Sequence, residues 1–435
     1  MTTVLVTGEG IPLLARLRAI APDAFIICLT TGHGSALEEQ RELSDRVIAM
    51  AGREVSEWVA LARSLHAGHG IDAVCAFGEM GQQECAAIAA DLSLPWHSRS
   101  TIRHVYDKVA MRQRLREAGL SSLHTIPIRD AADLAALSSR SDAPLIVKPR
   151  SGSGSAGIRL VGPGGGTDEA FSHAAGTGRY GGRAVIAETF AAGDELSIET
   201  FSHHGTHSVA AITAKIVARE SKAELGHIVP AATSPEVTAQ IEKFIPRCLE
   251  ALGITFGPTH TEVMVSATGV EVIETHTRCG GGHITDLVRE ATGVDLIDLT
   301  VRQVLGLLTA EQPVTPPARD GRARYAGIFF LTPDLPGTVV GPANSVAATA
   351  DARLIGLDLS GLDGLDAVHV PASNHVRGPY CIVLGSSPAE AAQAAARIAA
   401  EVRVTVRVPD RGELRAARLC LAATTFPSDG MPAFL

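Results

Sequence analysis

Lysine is nearly missing from this chain. Of 38 basic residues only five are lysines, namely Lys108, Lys148, Lys215, Lys222 and Lys243, so arginine is the default surface cation. There is no basic block and the net charge is −9, which argues against nucleic acid or an anionic membrane as a main partner. No apolar stretch is long enough to span a bilayer. Met1–Gly8 lacks the basic start and long apolar run of a signal peptide. The seven cysteines are scattered, odd in number and never spaced Cys-x-x-Cys, so the sequence suggests neither a zinc site nor a redox motif and fits buried thiols in a reducing cytoplasm. What is present is an ordinary globular balance, 46% hydrophobic and 20% charged over 435 residues. That length suits about three domains.

Two segments carry chemistry. In the first, the apolar run Pro144–Val147 ends in Lys148-Pro149 and is followed by Ser151-Gly152-Ser153-Gly154-Ser155-Ala156-Gly157. A loop with almost no side chain lets the backbone approach a phosphate and aim several N–H donors at it. Lys148 adds a point charge at the loop entrance. A strand resumes at Ile158–Val161, so the loop is a hairpin tip and not a Walker A loop, which would continue into a helix. In a chain this poor in lysine, a lysine in that place points to phosphate.

The second segment is a strand–turn–strand pattern. Thr261–Val265 and Val270–Glu274 flank the turn Ser266–Gly269. The hairpin brings Glu262 near Glu274, and alternation puts Val270, Val272 and Glu274 on one face. Paired carboxylates need a cation between them, and Mg²⁺ takes hard oxygen ligands while bridging to phosphates. Arg278 follows, able to neutralise a transferring phosphoryl group or grip a carboxylate. Gly280-Gly281-Gly282 then lets the backbone approach a substrate.

These residues resemble the ATP-grasp carboxylate–amine ligases. Within them the run Glu274-Thr275-His276-Thr277-Arg278-Cys279-Gly280-Gly281 is most similar to the L-amino-acid ligase branch that makes dipeptides, including the bacilysin and dapdiamide synthetases. The branch often carries His where the wider superfamily carries Asn, as at His276. The resemblance covers roughly residues 1–310. It implies an ADP-forming ligase that activates an amino-acid carboxylate as an acyl phosphate and passes it to the amine of a second amino acid. A dipeptide or γ-glutamyl-type amide results. It implies ATP and two Mg²⁺ ions, with Mn²⁺ as a substitute.

Residue by residue, the resemblance makes Lys108 and Lys148 the phosphate lysines and Ser151, Gly152, Ser153, Gly154, Ser155 and Gly157 the mobile loop over them. Glu188, Thr189 and Phe190 become the hinge that reads adenine through backbone groups, and Glu195 the ribose carboxylate. Glu262 and Glu274 become metal ligands, and Arg278 the residue stabilising the acyl phosphate. Glu79, His227, His276, Gly281 and Gly282 would line the substrate pocket, Glu79 facing a substrate ammonium. A ligase for a non-amino-acid or phosphorylated precursor, and a nucleotide-binding regulator without turnover, stay open. Gly8-Glu9-Gly10 lacks the third glycine of a dinucleotide fingerprint.

The expected fold class is mixed α/β and α+β. An open α/β layer occupies 1–95, a connecting helix 96–122, a lid 123–190, a catalytic antiparallel layer 191–312, an α+β cap 318–421 and a tail 422–435. Small amino acids are the expected partners, and a homodimer through the cap stays open.

Overall fold

The structure, a computed structural model, describes residues 2–32, 34–151, 156–177, 184–217, 224–309, 325–341, 351–362, 364–365, 378–408 and 413–422. Residues 313–317, between the expected catalytic layer and cap, and nearly all of the tail lie outside this set.

The chain opens with β1 (Thr3–Thr7), α1 (Ile11–Ile20), β2 (Phe25–Thr30), α2 (Ser35–Leu43), β3 (Arg46–Ala49), α3 (Val55–His69), β4 (Ala73–Ala76) and α4 (Gln82–Leu92). The strands form a parallel sheet in the order β3-β2-β1-β4. β1 and β4 are buried along their whole length, the pattern of strands covered on both faces. Gly8 and Gly81, both at positive φ, let the loops after β1 and β4 interlock: a side chain on Gly8 would lie 2.0 Å from the Met80 carbonyl oxygen. The glycines around Glu9 therefore serve loop packing.

Two helices follow, where one was expected: α5 (Arg99–Tyr106) and α6 (Lys108–Glu117). They break at Asp107, whose carboxylate accepts from the amides of Val109 and Ala110 and so starts α6 afresh. Next come β5 (Thr125–Ile128), α7 (Ala131–Ser138), β6 (Leu145–Pro149), β7 (Arg159–Val161), α8 (Thr167–Gly176) and β8 (Val185–Thr189). Their strands form an antiparallel sheet, β5-β8-β6-β7, around a core that includes Leu134, Val147, Ala174 and Val185. Arg150, just past β6, grips the Asp107 carboxylate with two nitrogens at 2.9 and 2.5 Å. One aspartate thus caps the helix that begins with Lys108 and ties it to the strand that carries Lys148.

The largest sheet is built from β9 (Asp194–His203), β10 (Thr206–Val217), β11 (Glu224–Val229), β12 (Gly257–Ser266) and β13 (Gly269–His276). β14 (Tyr325–Pro333), β15 (Thr338–Val339), β16 (Leu354–Asp358), β17 (Tyr380–Gly385), β18 (Arg403–Arg407) and β19 (Leu414–Leu421) complete it. Its helices are α9 (Pro235–Leu252), α10 (Ile284–Thr292), α11 (Leu296–Val304) and α12 (Pro388–Glu401). The strand order is β13-β12-β9-β10-β11-β14-β19-β18-β15, with β17 beside β14 and β16 beside β17. Because β14 pairs with β11, the segment expected to form a cap is continuous with the catalytic sheet. α11 packs back on the first layer: Val301 shares a core with Leu13, Leu14 and Leu17, and Arg16 lies 3.0 Å from both Asp295 and Asp298.

One irregularity corrects the face assignment. Glu262 pairs with Glu274, but Val263 pairs with Val272, so Ile273 is an extra residue. This bulge puts Val272, with Val263, in the buried core and Glu274, with Glu262, on the other side. Simple alternation had placed Val272 and Glu274 together.

Replacing Asp107 with alanine removes both the cap and the tie to Arg150. We expect a stability loss of about 1–2 kcal/mol, read from denaturant unfolding. A loss within error would show that neither contact contributes.

Candidate active site

Glu262 and Glu274 stand opposite each other on β12 and β13. Their side chains are only 16% and 14% exposed. Two buried carboxylates side by side repel and lose hydration, so cations must be close. They are: Lys215 Nζ lies 2.9 Å from Glu262 Oε1, and Lys108 Nζ lies 2.9 Å from Glu274 Oε2. Burial would push the Glu262 carboxyl up, but Lys215 outweighs it and holds the group at about 2. Glu274 is likewise held well below the usual range, against burial, by Lys108 and His276.

A second chain of charge adjoins this pair. His276 Nε2 sits 3.2 Å from Glu274 Oε1 and its Nδ1 sits 3.0 Å from Glu79 Oε2. Arg278 Nε donates to the same Glu79 oxygen at 2.5 Å. Glu79 therefore faces two protein cations here, His276 and Arg278. Burial works against its charge, but His276 and Arg278 prevail and hold it at about 2. Gln82 Nε2, at the start of α4, donates to the Thr277 carbonyl and locks the first layer to this turn. Gly281 and Gly282 form the turn into α10, Gly282 at φ 64°. Burial pushes the Cys279 thiol up to about 12, which leaves no thiolate at neutral pH.

From the lid side comes Lys148, with Nζ 2.9 Å from Glu188 Oε1. Glu188 Oε2 also accepts from Arg112 Nε at 3.0 Å and from Thr125 Oγ1 at 2.5 Å. Glu188 is thus a buried anchor for the lysine, held at about 2 by Lys148 and Arg112 despite burial. Burial lowers the Lys148 ammonium, and Glu188 only partly offsets this. At 188–190, the segment expected to read adenine through backbone groups, the backbone donors are engaged locally. Glu188 is inside β8, the Thr189 amide donates to the His124 carbonyl, and the Phe190 amide donates to the Pro144 carbonyl. Those donors are used within the lid, while the Phe190 ring stays exposed. Ser151 and Gly157 bracket the loop. Gly157 is at φ 78° with Thr177 Oγ1 2.0 Å from where a Cβ would sit. Gly152, Ser153, Gly154 and Ser155 lie outside the described residues.

Several partners escaped sequence reasoning. Lys215 Nζ meets Glu195 at 2.6 Å and Glu224 at 3.2 Å besides Glu262. His227 lies buried beside Glu224, with 3.6 Å between Nε2 and Oε2. His260 Nδ1 is 2.8 Å from the fully buried Glu199, and its Nε2 is 3.6 Å from Glu262 Oε1. Arg112 reaches from α6 to the Val272 carbonyl at 2.6 Å, joining lid and hairpin. The scarcity of lysine was a usable signal for Lys215. Arg112 had none among many arginines.

The acid pair fits a divalent ion. Among the described residues no group of three or more His, Cys, Asp or Glu side chains is arranged to hold a metal by itself. Mg²⁺ asks for less: one or two carboxylates, with substrate phosphates and water completing its shell. Glu262 and Glu274 would supply those two.

Residues 141–286 match the ATP-grasp domain. Human carnosine synthase 1 is 26% identical over 329 residues, which is 70% of this chain but 38% of that protein. An uncharacterised protein, y4rH, from Sinorhizobium fredii is 29% identical over 228 residues, 50% of this chain and 46% of that one. The chain thus spans less than half the length of these relatives. The crystal structure of an L-amino acid ligase from Bacillus licheniformis superposes with a TM-score of 0.72 at 19% identity, covering 93% of this chain and 98% of that one. A phosphoribosylglycinamide synthetase from Anaerococcus prevotii superposes at 0.67 and 15% identity, covering 93% and 99%. The fold is the ATP-grasp fold. The family match itself is confined to residues 141–286.

Glu79 gives a pH test. Its folded value of about 2 lies below the unfolded carboxylate value of about 4.3, so its stabilisation is full above that value and fades as pH falls toward 2. Glu79→Gln should therefore melt lower than the unsubstituted protein at neutral pH, with the gap closing in acid. A gap that is constant with pH would show that the ion pair contributes nothing.

Proposed function

We propose that this chain is an ATP-dependent, ADP-forming carboxylate–amine ligase that joins two amino acids through an acyl phosphate, giving a dipeptide or γ-glutamyl-type amide. The observation that carries it is the union of an acid pair suited to Mg²⁺ with the Glu79–Arg278 pair through His276. An amino acid is a zwitterion. A carboxylate and a guanidinium side by side match its two ends, the ammonium toward Glu79 and the carboxyl toward Arg278. Likeness to an L-amino acid ligase in fold and to carnosine synthase in sequence supports the same reading.

In this reading the nucleotide lies between the 123–190 and 191–312 segments, under the Ser151–Gly157 loop. Lys108 and Lys148 bind its phosphates, and Glu195 approaches the ribose. A metal ion at Glu262 and Glu274 would draw off negative charge as the phosphoryl group transfers. The substrate carboxylate oxygen bonds to the γ-phosphorus as the bond to the β-phosphate oxygen breaks, releasing ADP. Arg278 stabilises the resulting acyl phosphate. The second amine then attacks the acyl carbon, phosphate leaves with the C–O bond electrons, and the nitrogen loses its proton. Closure of the lid excludes water that would hydrolyse the activated acyl group. His227 and Gly281–Gly282 line the pocket for the amino acids.

Three measurements test this. Glu274→Ala should abolish ADP release, and near-normal turnover at saturating Mg²⁺ would overturn the metal assignment. Lys148→Ala should raise the KM for ATP, and unchanged kinetics would make the loop a plain hairpin. Phosphate release screened over amino-acid pairs should need both partners, with the amide identified by mass spectrometry. Full product from one acid alone would replace the ligase with a kinase or hydrolase.

A further inference from the structure

Lys215 is one of five lysines, and the activity proposed above leaves it without a role. Its side chain is also only 2% exposed, as enclosed as that of Arg112. Three carboxylates converge on its ammonium: Glu195 at 2.6 Å, Glu262 at 2.9 Å and Glu224 at 3.2 Å. The other acid of the pair, Glu274, is matched by Lys108 at 2.9 Å. Each carboxylate suited to a metal ion therefore already faces a lysine.

We propose that Lys215 and Lys108 are internal counter-ions that stand in for the metal, so that divalent ions enter this site together with the nucleotide and not ahead of it. The inference rests on Glu262 and Glu274 being the metal ligands. A free divalent ion must disturb two ion pairs shielded from water, and it also meets two fixed positive charges at short range, where Coulomb repulsion is weakly screened. A nucleotide changes both terms. Its phosphates offer Lys108 an anion in exchange for Glu274, and they supply oxygen ligands to the ion.

The two lysines differ in how they take part. Lys108 begins a helix and is 11% exposed, so its ammonium can turn toward an arriving phosphate. Lys215 keeps Glu195 and Glu224 when Glu262 turns to a metal, so it stays as a positioning residue. It engages Glu262 through Oε1, the oxygen His260 also approaches at 3.6 Å, which leaves Oε2 to offer an ion. The same lysine then connects the metal ligand to Glu195 on the nucleotide side and to Glu224, beside His227, on the amino-acid side.

The test is Mn²⁺ binding to the whole chain, read by electron paramagnetic resonance with and without ADP. The unsubstituted protein should bind Mn²⁺ weakly alone and much more tightly with ADP. Lys215→Met and Lys108→Met should each bind Mn²⁺ alone at least about tenfold more tightly than the unsubstituted protein, because a nearby positive charge is gone. Lys215→Arg, which keeps the charge, should behave as the unsubstituted protein does; a merely structural lysine would not give this split. If Lys215→Met does not fold, Lys108→Met carries the test. Equal Mn²⁺ affinity with and without ADP, or no tightening in the folded methionine variants, would overturn the inference. Absence of Mn²⁺ binding even with ADP would instead refute the metal assignment, and the proposed function with it.

Discussion

Two carboxylates in direct register on neighbouring strands are the constraint around which this molecule is arranged. Glu262 and Glu274 cannot be buried together without positive charge, and each has a lysine within ion-pair distance. The network around the pair draws on three parts of the chain. Lys215 comes from β10 of the same sheet, and Lys108 from the start of α6. Glu79, from the loop after β4, reaches Glu274 through His276. The first parallel layer, the connector and the large sheet are thus bound together at the point where chemistry is proposed.

The lid joins the same network by a separate route. Lys148 pairs with Glu188, Glu188 with Arg112, and Arg112 with the Val272 carbonyl, two residues before Glu274. A buried ion pair gives little net stability compared with apolar packing, but it is costly to break and strict in geometry. Here it holds a lid lysine in a fixed relation to the acid-bearing hairpin. The bulge at Ile273 serves the same end, directing Val272 into the core while Glu274 joins the acid site.

Much of this was legible from local pattern. The apolar run ending in Lys148 that became β6, the strand that resumes as β7 and the hairpin around Ser266–Gly269 follow from short-range periodicity and turn chemistry. So did the meeting of Glu262 and Glu274, since a short turn places its flanking strands in register. The break at Asp107 was missed because an N-cap inside a helical pattern looks like a surface aspartate until its partner Arg150 is seen. The role of Glu188 was missed for a similar reason: its partners Lys148 and Arg112 lie on other elements, and spacing along the chain does not relate them. Continuity of the sheet from β11 into β14 depends on an edge pairing across a long sequence separation.

The linear sequence was sufficient for residue types and their local order: a lysine before a glycine-rich loop, two acids flanking a turn, and an arginine followed by glycines. Those features arise from strand alternation, turn preference and the chemistry of phosphate and carboxylate groups, all of which act over a few residues. Only the tertiary structure decided which charge meets which. Glu79 meets Arg278, Lys215 meets three acids, and Lys108 meets Glu274, because the energy of a buried charge depends on every neighbour that folding brings within a few ångströms.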